Sequence, residues 1–163
     1  MEALEAWLLA VEAGSDGPQQ LEVVAGLVQQ DPTVLATLVR AGALSQVAAR
    51  HDARNASAAT ILVAATEEYA HEVVEADALP VLVSLVGSAQ HEEDAAWALG
   101  NLSAHADIAE AMIAQHALSA CLAVLTSAQT NLSRCFAAST LANLAVDERG
   151  KAAIGTLGGV ETM

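Results

Sequence analysis

The chain has 163 residues, enough for one ordinary domain, and a formal net charge of -14 at pH 7. Hydrophobic residues make up 54% of it and aromatic residues only 2% (Trp7, Tyr69, Trp97 and Phe136), so the core must be built from Ala, Leu and Val. The charge disfavours DNA or RNA as a partner, because phosphate binding needs clustered Lys and Arg, and no apolar run reaches the roughly 18 residues of a membrane span.

Ala and Leu lead the helix propensity ranking, and few residues prefer strands, so the composition predicts an all-α fold. The first segment, "MEALEAWLLAV" (1–11), reads as an amphipathic helix. Glu2, Glu5 and Glu12 sit where a secretory signal needs Lys or Arg followed by unbroken apolar residues. A soluble chain made without a cleaved leader, in the cytoplasm or nucleus, is therefore expected. The sequons at Asn55, Asn101 and Asn131 then read as chance matches. Cys121 and Cys135 lie in apolar helical patterns and read as buried, inert thiols rather than a disulfide framework.

After a polar break, "GSDGPQQ" (14–20), a helix is expected over 21–30, then shorter ones over 33–41 and 40–48. "RHDARN" (50–55) breaks the chain before a longer helix at 56–66. The pattern then recurs as a short run at 69–76, a helix at 76–86, a break at 87–94 and a long helix at 95–104. Pro80 falls in a first turn, where its missing N–H costs little, and Gly87 reads as a helix C-cap. Glu92, Glu93 and Asp94 precede the long helix, where the helix dipole favours negative charge. The third round runs 108–116, 114–125, a break at 126–131 and 136–146, and "KAAIGTLG" (151–158) and "LGGVETM" (157–163) open a fourth.

A single probe exposes the repetition. "ADALPVLVSLV" (76–86) aligns with segments anchored at Ala3-Leu4, Ala43-Leu44, Ala78-Leu79, Ala117-Leu118 and Gly159-Val160. The separations, 40, 35, 39 and 42 residues, fit a superhelical two- or three-helix repeat. "ALPVLVSLVGSAQHEEDAAWALGNLS" (78–103) resembles the armadillo repeat nearly throughout, and "ALSACLAVLTSAQTNLSRCFAASTLANLAV" (117–146) is a good second match. HEAT repeats are the main alternative by length, and the "WALGNL" third helix favours armadillo. The resemblance implies a right-handed armadillo-type α-solenoid with about three full repeats and partial ends. Its expected divisions are 1–30, 31–66, 67–104, 105–146 and a truncated 147–163. Solenoids need terminal repeats with polar outer faces. Ending on "GTLGGVETM" supplies none, so the chain is expected to be part of a longer array.

In the armadillo family the third helices line a concave groove that holds an extended peptide. Here one column of those helices reads Leu27, Ala64, Asn101 and Asn143, and a second, one turn earlier, reads Val23, Thr60, Trp97 and Ser139. An extended peptide exposes one N–H and one C=O per residue. An Asn amide carries both a donor and an acceptor, so it can bond a peptide backbone regardless of sequence. Repeats about 8–10 Å apart would meet an extended chain, rising about 3.3 Å per residue, at roughly every third residue. Trp97 would offer a ring for aliphatic stems or a cation. Trp97, Asn101, Asn143 and Ser139 are thus the expected peptide-binding residues. The plain structural alternative is that the Trp packs on the next repeat and the Asn satisfies a neighbouring loop.

The Trp-x-x-x-Asn spacing of Trp97 and Asn101 also resembles importin α, whose groove holds Lys/Arg-rich nuclear localisation signals. Thr60 and Ser139 replace the flanking Trp residues, so only one such pair is complete. No Lys or Arg lies between Arg54 and Arg134, while acids run from Glu67 to Glu110. Within that window Glu92, Glu93 and Asp94 are expected to contribute field rather than direct peptide contacts. Solubility of an Ala-rich chain is the plainer reading of the same acids.

No nucleophile elbow, P-loop or dinucleotide fingerprint is present. His51, His71, His91, His105 and His116 fall at helix ends and outer faces. His71 and Glu75 share a helix face, but no second His completes a zinc-type set in the linear pattern. The expectation is a non-enzymatic interaction scaffold with no cofactor and no metal, binding protein or peptide partners. Basic segments are an alternative ligand, and a structural segment with no ligand site of its own is a second alternative.

Overall fold

In the computed structural model, residues 2–13, 18–50, 56–146 and 148–157 are described. They form α-helices joined by short turns, with no strand among them. Two helices come first, α1 (Glu2–Glu12) and α2 (Pro18–Gln30). Three triplets follow: α3 (Pro32–Arg40), α4 (Leu44–Ala49) and α5 (Ala56–Glu68); α6 (Ala70–Glu75), α7 (Leu79–Leu85) and α8 (Glu92–Ser103); α9 (Ala109–Ala114), α10 (Ala117–Ser127) and α11 (Asn131–Leu144). One further helix, α12 (Glu148–Thr156), closes the described chain. Among the described residues no helix is long and apolar enough to cross a membrane.

The long helices α2, α5, α8 and α11 pack successively against one another, and each triplet's second helix packs on its own third. The structure is thus the all-α solenoid expected from the repeat. Its interior is continuous: Leu38, Val47, Ile61, Leu62, Leu82, Leu99, Leu102 and Leu141 belong to one buried cluster running through all triplets. Each fully buried Leu contributes about 1.5–3 kcal/mol by leaving water. Ala58, Ala65, Ala95, Ala98 and Ala137, fully buried on the third helices, give close approach instead of bulk. This division of labour explains how a chain with so few aromatics builds a core.

The turn between first and second helix repeats its backbone conformation. Gly42 (φ 66°), Asp77 (φ 54°) and His116 (φ 63°) are left-handed, and each immediately precedes an anchor alanine, Ala43, Ala78 or Ala117. In the first two triplets the hydrogen bonds close a Schellman motif. The Ala43 N–H donates to the Leu38 carbonyl at 3.0 Å and Gly42 to Val39 at 2.9 Å, while Ala78 donates to Val73 at 3.1 Å and Asp77 to Val74 at 3.0 Å. Asp and His stand in for Gly because they belong to the residue types that tolerate this region best. Gly87, expected as a C-cap, stands directly after the cap residue of the second helix but without the left-handed conformation. Helix α7 ends at Leu85 with right-handed Val86 as its cap, and Gly42 is the positive-φ glycine among the described residues.

One boundary shifts. Helix α11 begins at Asn131, inside the polar stretch expected to be a break, because the Thr130 hydroxyl accepts from the Ser133 N–H at 3.1 Å and caps the helix there. At the other end of α11, an added Cβ on Gly150 would overlap the Leu144 carbonyl, so α12 turns back against α11 only with glycine at that position. The expected segment beyond Leu157, His51 and the sequon at Asn55 lie outside the described residues.

Candidate functional site

The third helices carry the candidate residues, and the structure first shows what holds those helices in register. The Asn101 amide on α8 donates to the Thr66 hydroxyl of α5 at 3.2 Å, and the Asn143 amide on α11 donates to the Ser103 hydroxyl of α8 at 3.0 Å. Each of these hydroxyls passes its own proton back along its helix, Thr66 to the Val63 carbonyl and Ser103 to the Gly100 carbonyl, both at 2.7 Å. Thr66 and Ser103 are buried, so the amide above satisfies an otherwise solvent-shielded oxygen. The Asn column therefore forms a hydrogen-bonded ladder between neighbouring triplets. For either amide oxygen, no hydrogen-bond donor is found among the described residues.

Trp97 lies half-buried on α8, one turn before Asn101, at the edge of a groove of about 420 Å³. That groove crosses three layers. Val28 and Leu35 come from α2 and α3, and Val63, Ala64, Glu67 and Glu68 from α5. Beside Trp97, α8 contributes Asp94, and His91 stands just before the helix. Its size lies in the range of small-molecule or side-chain pockets. An indole, an aliphatic floor and three nearby carboxylates (Glu67, Glu68 and Asp94) make a chemistry suited to a long side chain with a cationic end. The linear pattern paired Trp97 with Thr60, its column neighbour. The packing adds Val63, Ala64 and Glu67 to the same groove, because neighbouring third helices lie side by side. The acidic window was the only sequence signal for Glu67 and Glu68.

Asn143 lines a separate hollow of about 320 Å³ with Ser103, Ala104, Ala106, Ala109 and Val146. Trp97 and Asn143 thus line different depressions rather than one pocket. Ser139 is exposed on α11, in line with Leu132, Cys135, Asn143 and Val146, and its hydroxyl offers little surface where α8 has an indole.

Glu92 and Glu93, expected to act through their field, make direct contacts within the chain. Glu92 Oε1 accepts from the Gln129 N–H at 3.1 Å, and Glu93 Oε2 accepts from the Thr130 hydroxyl at 2.7 Å. Both therefore hold the start of the next third helix. Asp94 alone of the three is exposed beside Trp97. The two thiols also part ways. Cys121 is buried, and burial pushes its pKa up to about 12, whereas Cys135 is exposed on α11, contrary to the expectation of two buried thiols.

The histidines differ most from their linear reading. His71 Nε2 lies 2.7 Å from Asp107 Oδ2, and the His71 and His105 rings meet edge to face at 5.3 Å. The Asp107 carboxylate raises the His71 pKa, and His71 in turn lowers that of Asp107. The second histidine missing from the linear pattern is His105, in the turn between α8 and α9.

Comparison with known proteins places this architecture. Neither protein-family models nor curated proteins give a match. Among solved structures, an engineered protein from the Northeast Structural Genomics Consortium is similar at a TM-score of 0.75 and 22% identity, over 99% of this chain and 70% of that one. A second engineered protein from the same consortium gives 0.69 and 22%, over 89% of this chain and 64% of that one. A designed armadillo repeat protein in complex with the peptide (KR)4 gives 0.72 and 21%, over 97% and 76%. Similarity of this kind speaks to fold, and the fold of this chain is an armadillo-like α-solenoid.

Proposed function

We propose that this chain is a non-enzymatic scaffold that binds an extended protein segment along its third helices, with repeat units at 31–66, 67–104 and 105–146. The observation that carries the reading is the groove beside Trp97, where an indole, an apolar floor and the carboxylates of Glu67, Glu68 and Asp94 lie together. Asn101 and Asn143 add backbone recognition through their amide oxygens, which can accept peptide N–H groups while their N–H groups tie the triplets together. Ser139 marks where the groove loses its ring.

The same carboxylates favour a Lys/Arg-bearing segment over a neutral one, the second reading, in the manner of an importin α-like adaptor. The peptide-bound designed armadillo protein is in keeping with peptide partners in general. A cytoplasmic or nuclear setting goes with that reading.

Fluorescence anisotropy with a labelled Lys/Arg-rich peptide and a charge-neutral extended control tests both readings. Trp97→Ala and the pair Glu67→Gln/Asp94→Asn are the variants, measured at two salt concentrations. Salt-sensitive binding of the basic peptide, weakened about tenfold or more by either variant, is the expected result. Equal binding of both peptides, lost in Trp97→Ala, would leave a scaffold without charge selectivity. No binding of either peptide would remove the groove reading and leave a structural segment of a larger array.

A further inference from the structure

We propose that His71, His105 and Asp107 form a surface site for a zinc-type divalent metal ion that clips two successive helix triplets together. Their ligand atoms lie within 4.8 Å of one another, drawn from α6 and from the turn between α8 and α9. His71 and Asp107 are 36 residues apart, about one repeat, so the cluster exists only because the triplets stack. Two imidazoles and one carboxylate are the hard-to-borderline donor set that zinc accepts, with water able to complete a tetrahedron.

The geometry needs little adjustment. In a tetrahedral site with metal–ligand bonds of about 2.0–2.1 Å, ligand atoms stand about 3.3 Å apart. The 2.7 Å hydrogen bond between His71 Nε2 and Asp107 Oδ2 has only to open by a fraction of an ångström as the ion replaces the shared proton. His105 then closes toward them by a small side-chain rotation. Its backbone is already fixed, with its N–H donating to the Leu102 carbonyl at 3.1 Å and its carbonyl accepting from Ile108 at 3.0 Å. The carboxylates of Glu72 and Glu75 act on His71 through their charge, adding negative potential that favours a dication.

The site lies apart from the groove at Trp97, and its position suggests its effect. Solenoid stability is a sum of unit and neighbour-interface contributions. A ligand bound across an interface stabilises the state in which that interface is formed. Zinc here would therefore strengthen the coupling between the α6–α8 and α9–α11 triplets.

Isothermal titration of the untagged chain with ZnCl2, in a Cys135→Ser background that removes the exposed thiol, tests the proposal. One equivalent is expected to bind, with a rise in Tm. Binding should fall at least tenfold in His105→Ala and in His71→Ala, and be unchanged in a His91→Ala/His116→Asn control, in which Asn keeps the left-handed turn at position 116. His105→Ala leaves the His71–Asp107 contact in place, so its loss of zinc binding cannot be ascribed to a broken hydrogen bond. Absence of one-to-one binding, or binding that persists in His105→Ala, would overturn the assignment. Loss in the control would place zinc elsewhere and also overturn it.

Discussion

Asn101 takes up a structural role of the kind set beside peptide binding in its sequence reading. Its amide N–H closes an inter-triplet hydrogen bond to Thr66, while its oxygen has no donor among the described residues. A structural role predicts energetic coupling between the two residues. In a double-mutant cycle with Asn101→Ala and Thr66→Val, followed by urea denaturation, the coupling should be about 0.5–1.5 kcal/mol, the net worth of a protein hydrogen bond. Coupling near zero would mean that the amide contributes nothing to the ladder. Asn101 and Trp97 were legible in the sequence because their columns align. Thr66 was not, because the hydroxyl that receives the amide lies 35 positions away in an unremarkable stretch of "AAT". Glu92 and Glu93 tell the same story: the sequence marked them as charges, and packing turned them into partners for Gln129 and Thr130.

The helices were legible as existing, with small errors at their ends, and the errors have local causes. Asp31 caps α3, its carboxylate accepting from the Thr33 N–H at 2.9 Å and from the Thr33 hydroxyl at 2.7 Å. Those two bonds lower the Asp31 pKa below its ordinary 3.8. The native state therefore binds its proton less readily than the unfolded chain, and the stability this cap supplies is present above pH 3.8. It is lost as pH falls through the lower, folded value. Asn can cap a helix without titrating. Chemical denaturation of wild type and Asp31→Asn from pH 7 down to about 3 should show the wild type losing stability faster below about pH 4. Parallel curves would mean that the cap carries no proton-linked stability. The left-handed turns at Gly42, Asp77 and His116 belong to this scale too. Only the first was readable as a turn signal, since Asp and His are not obligatory markers of that conformation.

The molecule as a whole is tied together one repeat at a time. The hydrogen bonds His71–Asp107, Asn101–Thr66, Glu93–Thr130, Asn143–Ser103 and Arg149–Glu110 span 36, 35, 37, 40 and 39 positions. Each joins one layer to the next, the quasi-one-dimensional logic of a solenoid. Against this works a net charge of -14. The ion pairs among the described residues, Arg149–Glu110, Lys151–Glu148 and His71–Asp107, are exposed and worth little individually. Repulsion among the acids from Glu67 to Glu110 thus outweighs attraction, and screening it should stabilise the fold. Thermal unfolding at low ionic strength and at about 0.15 M, where the Debye length is about 8 Å, should show a higher Tm in the saltier buffer. A falling Tm would mean that the few cations are worth more than the excess of acids costs.

The sequence by itself determined the all-α class, the repeat period and the columns of residues along the third helices. Those properties depend on local propensity and on spacing along the chain, which a single strand of letters records. Tertiary structure alone decided which residues meet across the layers. Zinc-ligand types one repeat apart converge at His71, His105 and Asp107, and Glu67 and Glu68 come to line the same groove as Trp97. Both follow from side-by-side stacking of helices whose Ala and Leu surfaces pack into one core.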